Sequence, residues 1–268
     1  MTNMGADLFL LWLQGFLLVA LLFFGLWMVE VRKKDASLVD AGWASSLGLL
    51  ALLYAWRGPG LPERRVFMAL LVLAWSLRLA SYIVLRHRGA GEDGRYREIR
   101  TRWEPRAHRF FFFFYQAQGA LAVLLSLPFL LIAFDRSPEV HALEIAGFVL
   151  SGLALALETV ADRQLARHRR DPSLRGKTCR EGLFRYSRHP NYFFEWLVWV
   201  GYAVAALGAP YGWTGFASPL LMLYLILRVT GIPPSEERAL RNRGEDYRRY
   251  QEATSAFVPW FPRKEASS

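Results

Sequence analysis

The chain has 268 residues, a formal charge of +10 and 53% hydrophobic residues, with aromatics making up 15%. Its apolar residues fall in long blocks and its basic residues collect in alternate gaps between them, which excludes nucleic acid as the reason for the charge and points to a multi-pass membrane protein. A lone cysteine, Cys179, excludes an internal disulfide.

The first block, about Leu8 to Val29, follows Asp7 with no basic segment ahead of it and reads as an uncleaved span. It ends at Glu30, Arg32, Lys33 and Lys34. Span two, about Leu38 to Trp56, carries Asp40 near its start. With Trp43, Asp40 could touch substrate; it could equally sit in a structural ion pair. The loop Arg57 to Arg65 holds Gly58, Pro59, Gly60 and Pro62, which break helices. Span three, about Val66 to Leu85, contains Arg78 and Tyr82. A long polar loop, RHRGAGEDGRYREIRTRWEPRAHR, offers Glu92, Asp93, Arg95 and Tyr96 as salt-bridged surface. Span four begins at the aromatic run Phe110 to Tyr115 and ends near Phe134. Span five, about Val140 to Ala161, closes with Glu158 and Asp162.

A second basic segment, Arg163 to Pro190, leads into GLFRYSRHPNYFFEWLVWV, residues 182–200. Pro190 suits the first turn of a helix. Arg185, Arg188 and His189 stand at the mouth of that helix, where free N–H groups and the dipole favour an anion. Asn191 and Glu195 are four apart and share a face. An acid inside an apolar helix is costly unless it meets protein, water or a ligand. A phosphate clamp with polar groups one turn deeper fits a large anionic cofactor; an ordinary basic and aromatic interface belt is the plainer alternative. Span six is about Tyr192 to Leu207 and span seven about Thr214 to Ile232. Arg228, near the end of span seven, could snorkel, pair with Glu195 or neutralise a pyrophosphate. Pro233 and Pro234 stop that span. Ser235 reads as the N-cap of a surface helix with Glu236 and Glu237 in its first turn, Arg238 beyond them and Gly244 at its end. Tyr247 and Tyr250 share a face of a last short helix, packing it down or stacking on an adenine.

The fold expected is an all-α membrane bundle of about seven transmembrane helices. The basic loops place the N-terminus outside and the C-terminus in the cytoplasm, although Arg57, Arg64 and Arg65 weaken the contrast at the first outer turn. One domain fills 1–263, and 264–268 reads as a disordered tail. No two of His87, His108, His141, His168 and His189 have the short repeated spacing of a membrane di-iron site, so no metal is expected. No GxGxxG or Walker loop appears, so any nucleotide is held by membrane helix ends.

GLFRYSRHPNYFFEW, followed by LRVTGIPPSEERALRNRGEDYRRYQEATSAFVPWFP, resembles the C-terminal half of the steroid 5α-reductase superfamily. SLVDAGWASSLG, RGAGEDGRYREIR and ETVADRQL resemble recurring segments of its bacterial branch of uncharacterised multi-pass membrane proteins. The resemblance implies NADPH held among the C-terminal helices, with a substrate-side half at 1–109 and a cofactor-side half at 110–263. Asn191 matches the family's asparagine at the nicotinamide end, Glu195 the acid one turn on, and Arg228 a cofactor-binding arginine of the last span. Arg188, His189 and Tyr192 fall in the same block. Arg185, Glu237, Arg238, Tyr247 and Tyr250 complete the expected cofactor set; Glu195, Tyr82 and Asp40 are the expected catalytic set. Span two lacks the family's Gln-Glu pair, and neither Trp75 nor Tyr82 matches its ketone-gripping tyrosine. The activity implied is hydride transfer from NADPH to an activated C=C bond of a lipophilic, steroid- or isoprenoid-like substrate entering from the bilayer, in the inner membrane if the chain is bacterial. An S-adenosylmethionine-dependent methyltransferase of the isoprenylcysteine carboxyl type and a non-enzymatic membrane protein are the alternatives.

Overall fold

The computed structural model describes residues 4–263 except Arg88 and Ala90. These residues form α1 (Met4–Lys33), α2 (Leu38–Arg57), α3 (Pro62–His87), α4 (Gly94–Trp103), α5 (Ala107–Leu125), α6 (Leu127–Phe134), α7 (Ala142–Arg170), α8 (Pro190–Ala205), α9 (Ala217–Tyr224), α10 (Ile232–Arg243) and α11 (Glu245–Ala253), with no strand among the described residues. Six stretches are long and apolar enough to cross a bilayer: Met4–Lys33, Leu38–Arg57, Pro62–His87, Ala107–Phe134, Ala142–Arg170 and Gly212–Arg243. The protein is an all-α integral membrane protein with several spans.

Four elements differ from the sequence expectation. The sixth expected span forms a helix of only 16 residues, α8. Its rise is about 24 Å, short of the ~30 Å hydrocarbon core, because the chain leaves it for a 3₁₀ turn at Ala206–Gly208. Span four is broken between α5 and α6, where Pro128 sits in the first turn of α6 and cannot continue the preceding ladder. The long polar loop contains α4, whose N-cap Asp93 accepts from the Arg95 N–H at 3.0 Å. The surface helix begins at Ile232, not after a Ser235 cap: Pro233 and Pro234 open it, as proline suits a first turn. Ahead of it the chain widens into a π-turn at Leu225–Val229. Gly244 ends α10 with φ of +50°, as expected. The tail at 264–268 lies outside the described residues.

The chain packs as two compact units, one of Met1–Glu144 with Ala205–Gly215 and the other of Ile145–Val204 with Phe216–Ser268. In the first, α2 lies against α1, α3, α5 and α6, and Phe23, Leu47, Leu50, Tyr54, Phe111 and Tyr115 are wholly buried. Ser76 of α3 donates to the Ala44 carbonyl of α2 at 2.7 Å, a side-chain bond of the kind that ties membrane helices. The polar ends are tied by ion pairs. Arg100 bridges Glu30 of α1 at 2.9 Å and Glu92 at 2.7 Å, so the GEDGRYREIR stretch is salt-bridged surface as its sequence suggests. In the second unit α7 and α8 approach closely: a Cβ on Gly201 would sit 2.3 Å from Ser151 Oγ and 2.6 Å from the Gly147 carbonyl. Ser151 donates to the Val198 carbonyl across the same seam at 3.0 Å.

Arg64, expected in a loop, is in the first turns of α3 and only 2% exposed. Its Nε donates to Glu144 at 2.9 Å, its Nη1 meets Asp135 Oδ2 at 3.2 Å and donates to the Asp135 carbonyl at 2.7 Å, and its Nη2 donates to the Glu139 carbonyl at 2.8 Å. Two carboxylates and a ring of carbonyls therefore compensate the charge. Removing the cation strands two buried carboxylates, so Arg64→Ala is expected to cost about 3–5 kcal/mol. The check is thermal unfolding in mild detergent, where an unchanged midpoint would mean that the buried pair carries no weight.

Candidate functional site

The loop before α8 is locked to the segment after α11 by backbone and side-chain hydrogen bonds. A 3₁₀ turn runs over Gly182–Arg185. Ser187 Oγ accepts from the His189 N–H at 3.1 Å and donates to the Phe257 carbonyl at 2.8 Å. The Arg188 N–H donates to the Ser255 carbonyl and the Trp260 N–H to the Tyr186 carbonyl, both within 2.9 Å. Pro190 then opens α8 as its sequence suggests.

One carboxylate gathers the groups at this mouth. Glu236 Oε1 accepts from Arg188 Nε at 2.7 Å and from the Tyr247 hydroxyl at 3.4 Å, and lies 3.3 Å from His189 Nε2. Glu236 Oε2 accepts from Gln251 Nε2 at 2.8 Å. Arg188 Nη1 also donates to the Gln251 and Thr254 carbonyls at 2.9 and 2.6 Å. The His189 ring stacks on Tyr192, centroids 5.4 Å apart and planes 7° from parallel. Two of the expected phosphate-binding groups are thus already engaged by an acid of the chain itself.

Tyr247 and Tyr250 are buried on α11 against Ala239, which fits packing better than adenine stacking. The Tyr250 hydroxyl donates to the Phe184 carbonyl at 2.5 Å. Burial pushes both phenols well above their ordinary range. Arg243 rests over the Tyr247 ring at 5.2 Å and Arg180 over the Tyr250 ring at 5.7 Å. Asp246 accepts from the Thr178 N–H at 2.8 Å and pairs with Arg180 at 3.0 Å. Burial works to raise its pKa, but the hydrogen bond from Thr178 and the charges of Arg180 and Arg243 hold it below the usual value.

Deeper along α8, Asn191 Nδ2 donates to Asp162 Oδ1 of α7 at 3.3 Å. Glu195 is half-buried one turn on, on the same face. Phe194, Val198 and Trp199 are buried around that turn. An amide, its carboxylate partner and a second acid therefore form a polar strip on otherwise apolar helices.

The remaining expected residues lie apart from this strip. Arg185 and Arg228 are exposed, Arg228 within the π-turn. Glu237 is exposed and forms an i,i+4 pair with Arg241 at 3.5 Å. Arg238 lines a cleft with Ser235, and Glu236 does not line it. In the first unit, Asp40 Oδ2 accepts from Arg95 at 2.8 Å and its Oδ1 from the Tyr96 hydroxyl at 2.5 Å. With both oxygens accepting, Asp40 has the geometry of a tie between α2 and α4, not of a proton donor. Tyr82 is 42% exposed on α3. Sequence reasoning missed Asp162 and Gln251. Asp162 carried one usable signal, its position four residues after Glu158 on the same helix face; Gln251 carried none.

A family model described as "Protein of unknown function (DUF1295)" matches residues 26–254. An uncharacterized protein, C594.04c, of Schizosaccharomyces pombe is 29% identical over 277 aligned residues, spanning 91% of this chain and 78% of its own. No solved structure matches.

Because Glu236 gathers contacts from two segments, the loop before α8 and α11, Glu236→Ala is expected to cost about 1.5–3 kcal/mol for each charge-assisted bond lost, less any compensation by water. Arg188→Ala should cost less when Glu236 is already alanine. A double-mutant cycle read by thermal unfolding measures that coupling, and additive costs would show that the two groups are independent.

Proposed function

The chain belongs to the DUF1295 family, and from that membership we propose that it is a membrane-embedded, NADPH-dependent reductase of an activated C=C bond in a lipophilic substrate. The family is related to steroid 5α-reductase-like proteins, which supports the class of chemistry. The observation that carries the reading is the Asp162–Asn191–Glu195 strip on α7 and α8.

The strip fits the polar end of a nicotinamide. A carboxamide offers an N–H₂ donor and a carbonyl acceptor. An asparagine amide and a carboxylate, about 6 Å apart along a helix, offer the complements. Asp162 accepts one Asn191 N–H, which fixes the amide so that its carbonyl oxygen is presented in a set direction. Glu195, one turn deeper, would accept a carboxamide N–H of the bound cofactor. NADPH, when bound, supplies a hydride; reduction of an enone is completed by a proton at the α-carbon. The apolar side chains beside the strip, Phe194, Val198 and Trp199, exclude water from the polar groups and sharpen their orientation. The Glu236 cluster holds the loop before α8 in place, so Arg188 and His189 shape the mouth of the site through their own partners.

The test is ligand-dependent stability of the purified full chain. NADPH at a hundredfold excess over its dissociation constant is expected to stabilise by about 2.7 kcal/mol. S-adenosylmethionine should give no shift. Asn191→Ala and Glu195→Ala should each weaken NADPH at least about tenfold, roughly 1.4 kcal/mol, with little change in the ligand-free midpoint. Stabilisation by S-adenosylmethionine and not NADPH would assign a methyltransferase, and stabilisation by neither would leave a non-enzymatic membrane protein.

A further inference from the structure

A second site lies in the same unit and draws on none of the residues of the Asp162–Asn191–Glu195 strip. The end of α7, the loop after it and one face of α10 enclose a cleft of about 360 Å³. Its lining carries five full positive charges, on Arg169, Arg175, Lys177, Arg238 and Arg243, and no carboxylate. Ser235 adds a neutral hydroxyl. The loop can bring Arg175 and Lys177 to the same rim because Gly176 between them takes φ of +81°, which favours glycine. On α10, Ser235, Arg238, Ala239 and Asn242 recur at the spacing of one helix face. Glu236 sits off that face and is engaged by Arg188 and Gln251.

Most of this charge has no carboxylate within ion-pair distance, although Asp246 attracts Arg243 and Asp171 attracts Lys177 from outside the cleft. Among the described residues, Arg169, Arg175, Lys177 and Arg238 make no ion pair with a carboxylate, whereas the neighbouring Arg241 pairs with Glu237. Asp171, in the same loop, caps Ser173, accepting from its N–H at 2.9 Å and its hydroxyl at 2.7 Å, and does not line the cleft. Asp246 is turned to Thr178 and Arg180. Like charges crowded around a concave space repel one another until an anion enters, and a phosphate carries enough charge and acceptors for several guanidinium groups at once. The place is also telling. The stretch Ala142–Arg170 is long and apolar enough to span the bilayer, so its basic last turn emerges at the membrane surface. The same unit exposes Trp260 and Phe261, 70% and 74% accessible, residue types that settle at that depth.

We propose that this cleft, between the end of α7 and α10, binds a phosphate group, presented either by an anionic lipid headgroup at the bilayer surface or by a soluble phosphate ester. Lipid supplies phosphate there at high local concentration. The soluble alternative shares the same contacts.

The experiment uses the full chain and needs neither NADPH nor substrate, so it fails or succeeds independently of the reductase reading. In mild detergent, inorganic pyrophosphate is titrated against the protein. In parallel, the protein is placed in nanodiscs of phosphatidylcholine with or without phosphatidylglycerol, and retained phosphatidylglycerol is counted by native mass spectrometry. At least one probe should bind saturably. Its binding should weaken at least about tenfold in the pair Arg175→Gln with Arg238→Gln, and again in Ser235→Glu, which adds a carboxylate to an otherwise intact cleft. Arg241→Ala, the paired neighbour, should leave binding unchanged. Retention of phosphatidylglycerol alone identifies lipid as the source; binding of pyrophosphate alone identifies a soluble ester. The proposal is overturned if neither probe binds, or if one binds equally to the wild type and to both variants.

Discussion

The C-terminal unit depends on a single acid. Glu236 on α10 is held by Arg188 from the loop before α8, by Gln251 and Tyr247 from α11, and by the nearby His189 ring. A half-buried carboxylate without donors would be expelled toward water, and an unpaired Arg188 would be expelled with it. Together they fix how α10 and α11 meet the loop that starts α8. That placement decides which faces remain open. One face of α10 is consumed by the Glu236 contacts, and the other carries Ser235 and Arg238 into the basic cleft. Cationic character at the surface of this unit is thereby divided: part is answered within the chain, and part is left for a ligand.

Much of the architecture was legible in the residue pattern because lipid leaves so few options. Apolar blocks bounded by basic clusters must become helices, as only helices satisfy their own backbone in a bilayer. What was hidden is local. The final residues of the block ending at Leu207 look as apolar as the rest, yet Ala206–Gly208 turns into a 3₁₀ stretch and shortens α8. The pair Pro233 and Pro234 reads as a stop, although the same physics that makes Pro190 a good start makes them one too. In the polar loop, Asp93 before Gly94 caps α4, a helix that the surrounding charged and glycine-rich residues hid.

The candidate site was less legible, and the reason is sequence distance. Asn191 and Glu195 are on one face because helix geometry guarantees it. Arg188 meeting Glu236, 48 positions away, leaves no periodic trace. Glu236 and Glu237 looked alike in a charged cluster. Packing separates them, one into a network and the other into an exposed pair with Arg241. The same holds for Asp40, whose partners Arg95 and Tyr96 come from a helix that the loop's composition concealed.

Arg64 carries a consequence for biogenesis. The farther of its two carboxylate partners, Glu144, follows it by 80 residues. At typical elongation speeds the guanidinium must wait roughly 4–16 s for that partner to be synthesised. Until then α3 begins with an incompletely compensated cation that has no low-energy place in the growing bundle. The nascent chain therefore has reason to keep that end of α3 at the aqueous rim, or in the shelter of the insertion machinery, and to seat it only when the turn before α7 arrives.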